Sequence, residues 1–252
     1  MLLVLALAAV AQWELYRMFA RIGVTADRGV GLALGAFVVL AFAFGGPAVA
    51  TGVAGGGGTR PWLVSLALSI AVATCLALGL RGASGVRPGW DGRALTLLGV
   101  CYCAWLLGHA VWLRALPDGA GLTRLLLGVT WCGEAAAFFV GRRFGRHKLA
   151  PLVSPGKTVE GALAQLLLSV LVALAPWGVG SMTAAHAVGI GLVLAVTGQV
   201  GDLAESFLKR SAAAKDAGAI FPGHGGLLDR LDSLLFNVPA LYYYVSLLLP
   251  QG

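Results

Sequence analysis

The sequence predicts an all-α, polytopic integral membrane protein with about eight transmembrane helices. Three observations carry this prediction. Of 252 residues, 58% are hydrophobic and only 12% charged, about half the charged share of a soluble domain. The mean hydropathy is +0.85. Apolar runs of about 20 residues, the length that crosses a bilayer, recur along the whole chain. Together they exclude a soluble enzyme, a disordered chain and a fibrous protein, because the sequence cannot supply a polar surface.

The spans are read at about 1–18, 29–53, 61–80, 94–114, 122–141, 161–179, 184–204 and 234–250. The first lacks the basic leading segment of a secretory signal, and Trp13-Glu14 follows its apolar stretch, so it counts as a span. The second is long, and Gly45-Gly46-Pro47 kinks or ends it. The four-glycine run Gly55–Gly58 then reads as a flexible turn on the outer side. The sixth and eighth spans are the shortest. Trp112, Trp177, Tyr242, Tyr243 and Tyr244 read as interface anchors. Cys75, Cys101, Cys103 and Cys132 lie in apolar runs without metal-binding spacing and read as small core residues, not disulfides.

Basic residues test the map. Arg17, Arg21 and Arg28 flank the first loop, and Arg81, Arg87 and Arg93 the third. Arg142, Arg143, Arg146, Lys148 and Lys157 fill the fifth, and Lys209, Arg210, Lys215 and Arg230 the seventh. That is 15 of 18 basic residues on one side, with Arg60, Arg114 and Arg124 on the other. Positive charge collects on the cytoplasmic side, so odd loops are cytoplasmic and both termini outside. The net charge of +7 is explained by this bias. Nucleic acid is not a partner, since no basic region outside the membrane is long enough to hold it. The chain reads as one membrane domain, 1–252, with N-terminal helices over 1–120 and a catalytic half over 121–252.

Five of the 11 acidic residues fall between positions 202 and 232: Asp202, Glu205, Asp216, Asp229 and Asp232. Charges beside a span are costly and mark function by default. Asp202, Glu205, Ser206 and Lys209 are spaced i, i+3, i+4, i+7, one face of a helix continuing from the seventh span. Phe221-Pro222-Gly223-His224-Gly225-Gly226 follows as a turn-rich segment whose backbone amides can approach a ligand. Asp229 and Asp232 open the last span as i, i+3 neighbours. The chemistry implied is phosphate chemistry on a divalent metal. Carboxylates offer hard oxygen ligands, Lys and Arg neutralise phosphate oxygens, and transfer at phosphorus needs positioning and charge neutralisation.

The run Ser206-x-Leu208-Lys209-Arg210-x4-Lys215-Asp216-x-Gly218-x2-Phe221-Pro222-x-His224-Gly225-Gly226-Leu227-x-Asp229-Arg230-Leu231-Asp232 resembles the signature of phosphatidate cytidylyltransferases, the CDP-diacylglycerol synthases. Upstream, Trp131-x2-Glu134-x2-Ala137-Phe138-Phe139-x-Gly141-Arg142-x-Phe144-Gly145 and Lys148-Leu149-Ala150-Pro151-x2-Ser154-Pro155-x-Lys157-Thr158-x-Glu160-Gly161 resemble that family's middle block. Gly201-Asp202-Leu203-x-Glu205-Ser206 leads into the signature, and Trp13-Glu14 with Gly23 resembles an N-terminal element. The family has Asp where this chain has Glu134, and it begins with one more hydrophobic helix than the eight read here.

The resemblance implies a nucleotidyltransferase of phospholipid biosynthesis that joins CTP and phosphatidic acid, giving CDP-diacylglycerol and pyrophosphate. It implies Mg²⁺, alone or with a second cation, carried by Asp202 and Asp229 and supported by Asp216 and Asp232. Lys209, Arg210, Lys215 and Arg230 would hold substrate charges, and His224, Gly225 and Gly226 would shape a phosphate pocket. Glu205 and Ser206, with Lys157, Thr158 and Glu160 of the middle block, would bind substrate on the same cytoplasmic face. Arg142, Arg143 and Arg146 read as topology determinants or lipid-phosphate contacts, and Glu14 as a partner of Arg17 or Arg21. A homodimer is the family's expectation, and a bacterial inner (plasma) membrane the expected location.

Rival readings differ in product or in charge placement. A CTP-dependent polyprenol-type lipid kinase would release CDP, not pyrophosphate. A transporter would carry its ionisable residues mid-span, whereas only Glu134 lies clearly within one here. An inactive homologue would not need the full carboxylate set.

Overall fold

The computed structural model describes residues 1–46, 60–81, 90–180, 182–218 and 225–249. The Gly55–Gly58 turn, Arg87 and the Phe221–His224 stretch lie outside them. Each expected span is a helix: α1 (Leu2–Ala20), α2 (Arg28–Phe44), α3 (Trp62–Arg81), α4 (Trp90–Gly99), α5 (Leu106–Ala115), α6 (Gly119–Phe144), α7 (Val159–Ala173), α8 (Ala184–Ser211) and α9 (Leu228–Leu248). α4 and α5 are halves of one span, joined by the π-helical turn Val100–Trp105. Five of the described helical stretches are long and apolar enough to cross a membrane, and three shorter apolar helices accompany them.

Two spans are shorter than hydropathy suggests. α2 ends at Gly45, as the Gly-Gly-Pro sequence dictates. α7 ends at Ala173, although apolar residues continue beyond it. The residue before Pro176 is pushed out of helical geometry, so the run to 179 becomes a loop. Between α6 and α7 the chain forms an antiparallel ribbon, β1 (Lys148–Ala150) and β2 (Ser154–Thr158), pairing Lys148 with Thr158 and Ala150 with Ser154.

The chain divides into two compact units. Unit 1 comprises 1–115 and 211–230; unit 2 comprises 116–210 and 231–252. In unit 1, α2 packs against α1, α3, α5 and the π turn. Several of its buried polar groups are paired internally, which lipid surroundings favour. The Tyr16 hydroxyl donates to the Thr96 carbonyl (2.7 Å), and Gln12 Nε2 donates to the Gly31 carbonyl (2.6 Å). The Asp27 side chain caps α2 by accepting from the Val30 amide, worth about 1 kcal/mol. Phe42, Trp105, His109 and Trp112 form an aromatic cluster, and Trp112 Nε1 donates to the Phe42 carbonyl (2.8 Å). Trp112 here, and Tyr242 in unit 2, expected as interface anchors, are buried. Cys132, expected in the core, is exposed on α6.

In unit 2, α6 packs along α7, and the ribbon sits at the end where α6 finishes and α7 begins. Asn237 in α9 is fully buried. Its Nδ2 donates to Thr130 of α6 (2.9 Å), and its Oδ1 accepts from Thr197 of α8 (2.6 Å). One amide thus ties three helices together at membrane depth.

Candidate active site

In unit 2 the polar face of α8 is set by helical spacing and placed by one close approach. A Cβ on Gly201 would lie 2.5 Å from the Asp232 carbonyl and 3.1 Å from the Ser233 Cα. Only glycine lets α8 and α9 meet there. The next residue, Asp202, and Asp232 consequently come from neighbouring backbones. Asp232 is half-buried and accepts from the Ser233 amide (2.6 Å). The carboxylates of Asp202 and of Glu134 on α6 both act on it electrostatically. Glu134, the departure from the family pattern, thus belongs to this acidic group.

Cations face it. Lys157 Nζ lies 2.8 Å from Asp202 Oδ2, and Ser206 Oγ donates to Asp202 Oδ1 (3.4 Å). Lys209 pairs with the buried Glu205 one turn along α8. Lys157 reaches Asp202 because the ribbon holds it there. Thr158 is buried and caps α7 by accepting from the Gly161 amide (3.2 Å). Glu160 closes the ribbon's base. It accepts from the amides of Arg146 (3.0 Å) and His147 (3.3 Å) and from His147 Nδ1 (2.7 Å). Glu160 lies ahead of the apolar run of α7. Its own backbone amide, then the His147 ring, hold its carboxyl down at about 2. Arg210 Nε donates to the Val153 carbonyl at the ribbon's turn (3.4 Å).

Unit 1 holds the remaining signature residues. Asp229, in the first turn of α9, accepts at Oδ2 from the amides of Gly226 (2.7 Å) and Ala217 (3.0 Å). Gly225 has φ +80°, the left-handed conformation a side chain resists. Lys215, Asp216 and Arg230 are exposed. His224 lies outside the described residues. Glu14 is not paired with Arg17 or Arg21. It is fully buried, and its Oε2 accepts from the Leu228 amide (2.8 Å). Arg17 stacks over the Trp13 ring instead. Glu14 is the residue whose position sequence reasoning missed; the available signal was an acid inside an apolar run.

No cluster of three or more His, Cys, Asp or Glu side chains suited to a metal stands among the described residues. Mg²⁺ does not require one. It takes one or two carboxylates and completes its shell with water and substrate phosphates. The pair Asp202 and Asp232, with the Ser206 hydroxyl beside Asp202, is a hard-oxygen donor set of that kind. The lysines alongside suit phosphate oxygens.

The model of the cytidylyltransferase family matches residues 1–248. The chain is 38% identical over 148 residues to a protein of Escherichia coli (strain K12) named uncharacterized protein YnbB, covering 55% of this chain and 49% of that one. It is 42% identical over 139 residues to a phosphatidate cytidylyltransferase of Synechocystis sp., covering 53% and 46%. It is 34% identical over 184 residues to a phosphatidate cytidylyltransferase of Staphylococcus aureus (strain COL), covering 72% and 70%. The chain spans about half the length of the first two relatives.

Proposed function

The chain belongs to the cytidylyltransferase family, and from that premise we propose that it is a phosphatidate cytidylyltransferase. It joins CTP and phosphatidic acid to give CDP-diacylglycerol and pyrophosphate. The observation that carries this reading is the meeting of Asp202, Asp232 and Lys157 where Gly201 brings α8 against α9. A carboxylate pair beside an ammonium suits a polyphosphate and its cation. The names of the Synechocystis and Staphylococcus relatives supply the substrate class.

A phosphatidate oxygen attacks the α-phosphorus of CTP, the bond from that phosphorus to the bridging oxygen breaks, and pyrophosphate leaves. Asp202 and Asp232 would hold Mg²⁺; the family resemblance instead implies Asp202 and Asp229, with Asp232 in support. When bound, the ion supplies charge neutralisation on the phosphates. Lys157 and Lys209 hold phosphate charge from the protein side, and Ser206 donates to the Asp202 carboxylate and keeps it oriented. Arg210, Lys215, Arg230, His224, Gly225 and Gly226 keep their implied roles toward substrate, and Asp216 its implied support of the metal. Thr158 and Glu160 serve by holding Lys157 in place, Thr158 by capping α7 and Glu160 by closing the ribbon. The one-sided distribution of basic residues supports an active site on the cytoplasmic side of the inner membrane.

The test is turnover of CTP and phosphatidic acid by purified protein with and without Mg²⁺. CDP-diacylglycerol and pyrophosphate are expected with the metal, lost on chelation and lost in Asp202→Ala and Asp232→Ala. Full turnover in either variant would overturn the assignment of the site.

A further inference from the structure

We propose that Glu14, on the first helix, is the positioning residue that fixes the start of α9 and so aims Asp229; the proposal rests on the functional reading of Asp229 above. Glu14 is 0% exposed. A buried carboxylate is costly unless its oxygens are put to use. Its Oε2 accepts from the amide of Leu228, the first residue of α9, across 214 positions of sequence. The first amides of a helix have no partner inside it, and Leu228 is itself fully buried, so water does not replace this acceptor. A negative group at that end also suits the helix dipole.

The two glycines of the signature loop are shaped around the same carboxylate. A Cβ on Gly226 would lie 2.7 Å from both Glu14 oxygens, and one on Gly218 would collide with Oε1. Gly226 itself, and Ala217 next to Gly218, supply the two amides that Asp229 Oδ2 accepts from. Glu14 therefore fixes residues 218, 226 and 228, and Asp229 follows from them. The requirement is an acceptor at a given reach, not a charge. Gln keeps both reach and acceptor. Asp keeps the charge but withdraws it by one methylene, about 1.5 Å.

The experiment compares the full chain with Glu14→Gln, Glu14→Asp and Glu14→Ala, with Asp229→Ala as reference. Initial rates with CTP and phosphatidic acid give kcat and KM, and hydrogen exchange is followed at 217, 218 and 225–230. Glu14→Gln should keep kcat within about threefold, whereas Asp and Ala should lose about tenfold or more, with KM for CTP little changed. Exchange at 217, 218 and 225–230 should rise in the Asp and Ala variants and not in Gln. A kcat for Glu14→Asp above that of Glu14→Gln would overturn the proposal, as would unchanged exchange in both Asp and Ala. Should the Ala variant fail to fold, the Gln and Asp pair decides. Full activity in Asp229→Ala would defeat the parent reading instead, and the exchange measurement would still decide whether Glu14 fixes the loop.

Discussion

Replacing Gly201 by alanine tests how the acidic pair is brought together. The added Cβ would sit 2.5 Å from the Asp232 carbonyl and 3.1 Å from both the Ser233 Cα and the Phe236 ring. Two of these three neighbours are backbone atoms of α9, so no side chain can swing aside to make room. Ordinary contact needs about 3.5 Å, so the helices must part by about 1 Å at this point. Overpacking of that kind costs about 1–3 kcal/mol, or roughly 2–10 °C in thermal midpoint for a chain of this size. Asp202 and Asp232 separate with the backbones, and a displacement near 1 Å at a reacting centre costs about 10²-fold in rate. The assay is turnover measured well below the midpoint, alongside thermal unfolding in detergent. Gly46→Ala, where an added Cβ has nothing within 4 Å, is the control and should shift neither. A Gly201→Ala protein with normal midpoint and normal turnover would refute the close-approach argument.

Three further outcomes are expected. Lys157→Ala should lower turnover by about tenfold or more in a protein that still folds, because it removes the ammonium that faces Asp202; kinetics and unfolding of the same sample check this. Asn237→Leu should destabilise the protein by about 1–2 kcal/mol, since it removes two interhelical hydrogen bonds at membrane depth; a midpoint equal to the parent's would contradict it. Glu160 has its carboxyl depressed from 4.5 to about 2, so the anchoring it gives the ribbon is complete above pH 4.5 and lost as pH falls through 2. Protection of the 146–158 amides against hydrogen exchange, taken relative to the intrinsic rate at each pH, should therefore fall across that window and should not do so in Glu160→Gln.

The spans were legible because lipid imposes a length and a polarity that any helix crossing it must show. Their ends were less so. Hydropathy reads Leu174-Ala175 as more of the sixth span, while Pro176 stops the helix locally. The ribbon at 148–158 leaves no periodicity to read, since its strands are only three and five residues long. The α8 stripe was readable from spacing alone, because Asp202, Glu205, Ser206 and Lys209 share one helix. That Asp232 and Glu134 join Asp202 depends on contacts between helices, which spacing does not encode. Glu14 shows the same limit. Its burial and its hold on Leu228 join residues 214 positions apart, so local neighbours such as Arg17 suggested the wrong partner.

The most direct test of the central claim is the fate of the phosphorus atoms of CTP. The purified protein is given phosphatidic acid, Mg²⁺ and CTP labelled in parallel samples at the α- or the γ-phosphate. Nucleotidyl transfer predicts α-label in the lipid product and γ-label in pyrophosphate. Label from the γ-phosphate in lipid, with CDP released, would contradict the account and place the protein among lipid kinases.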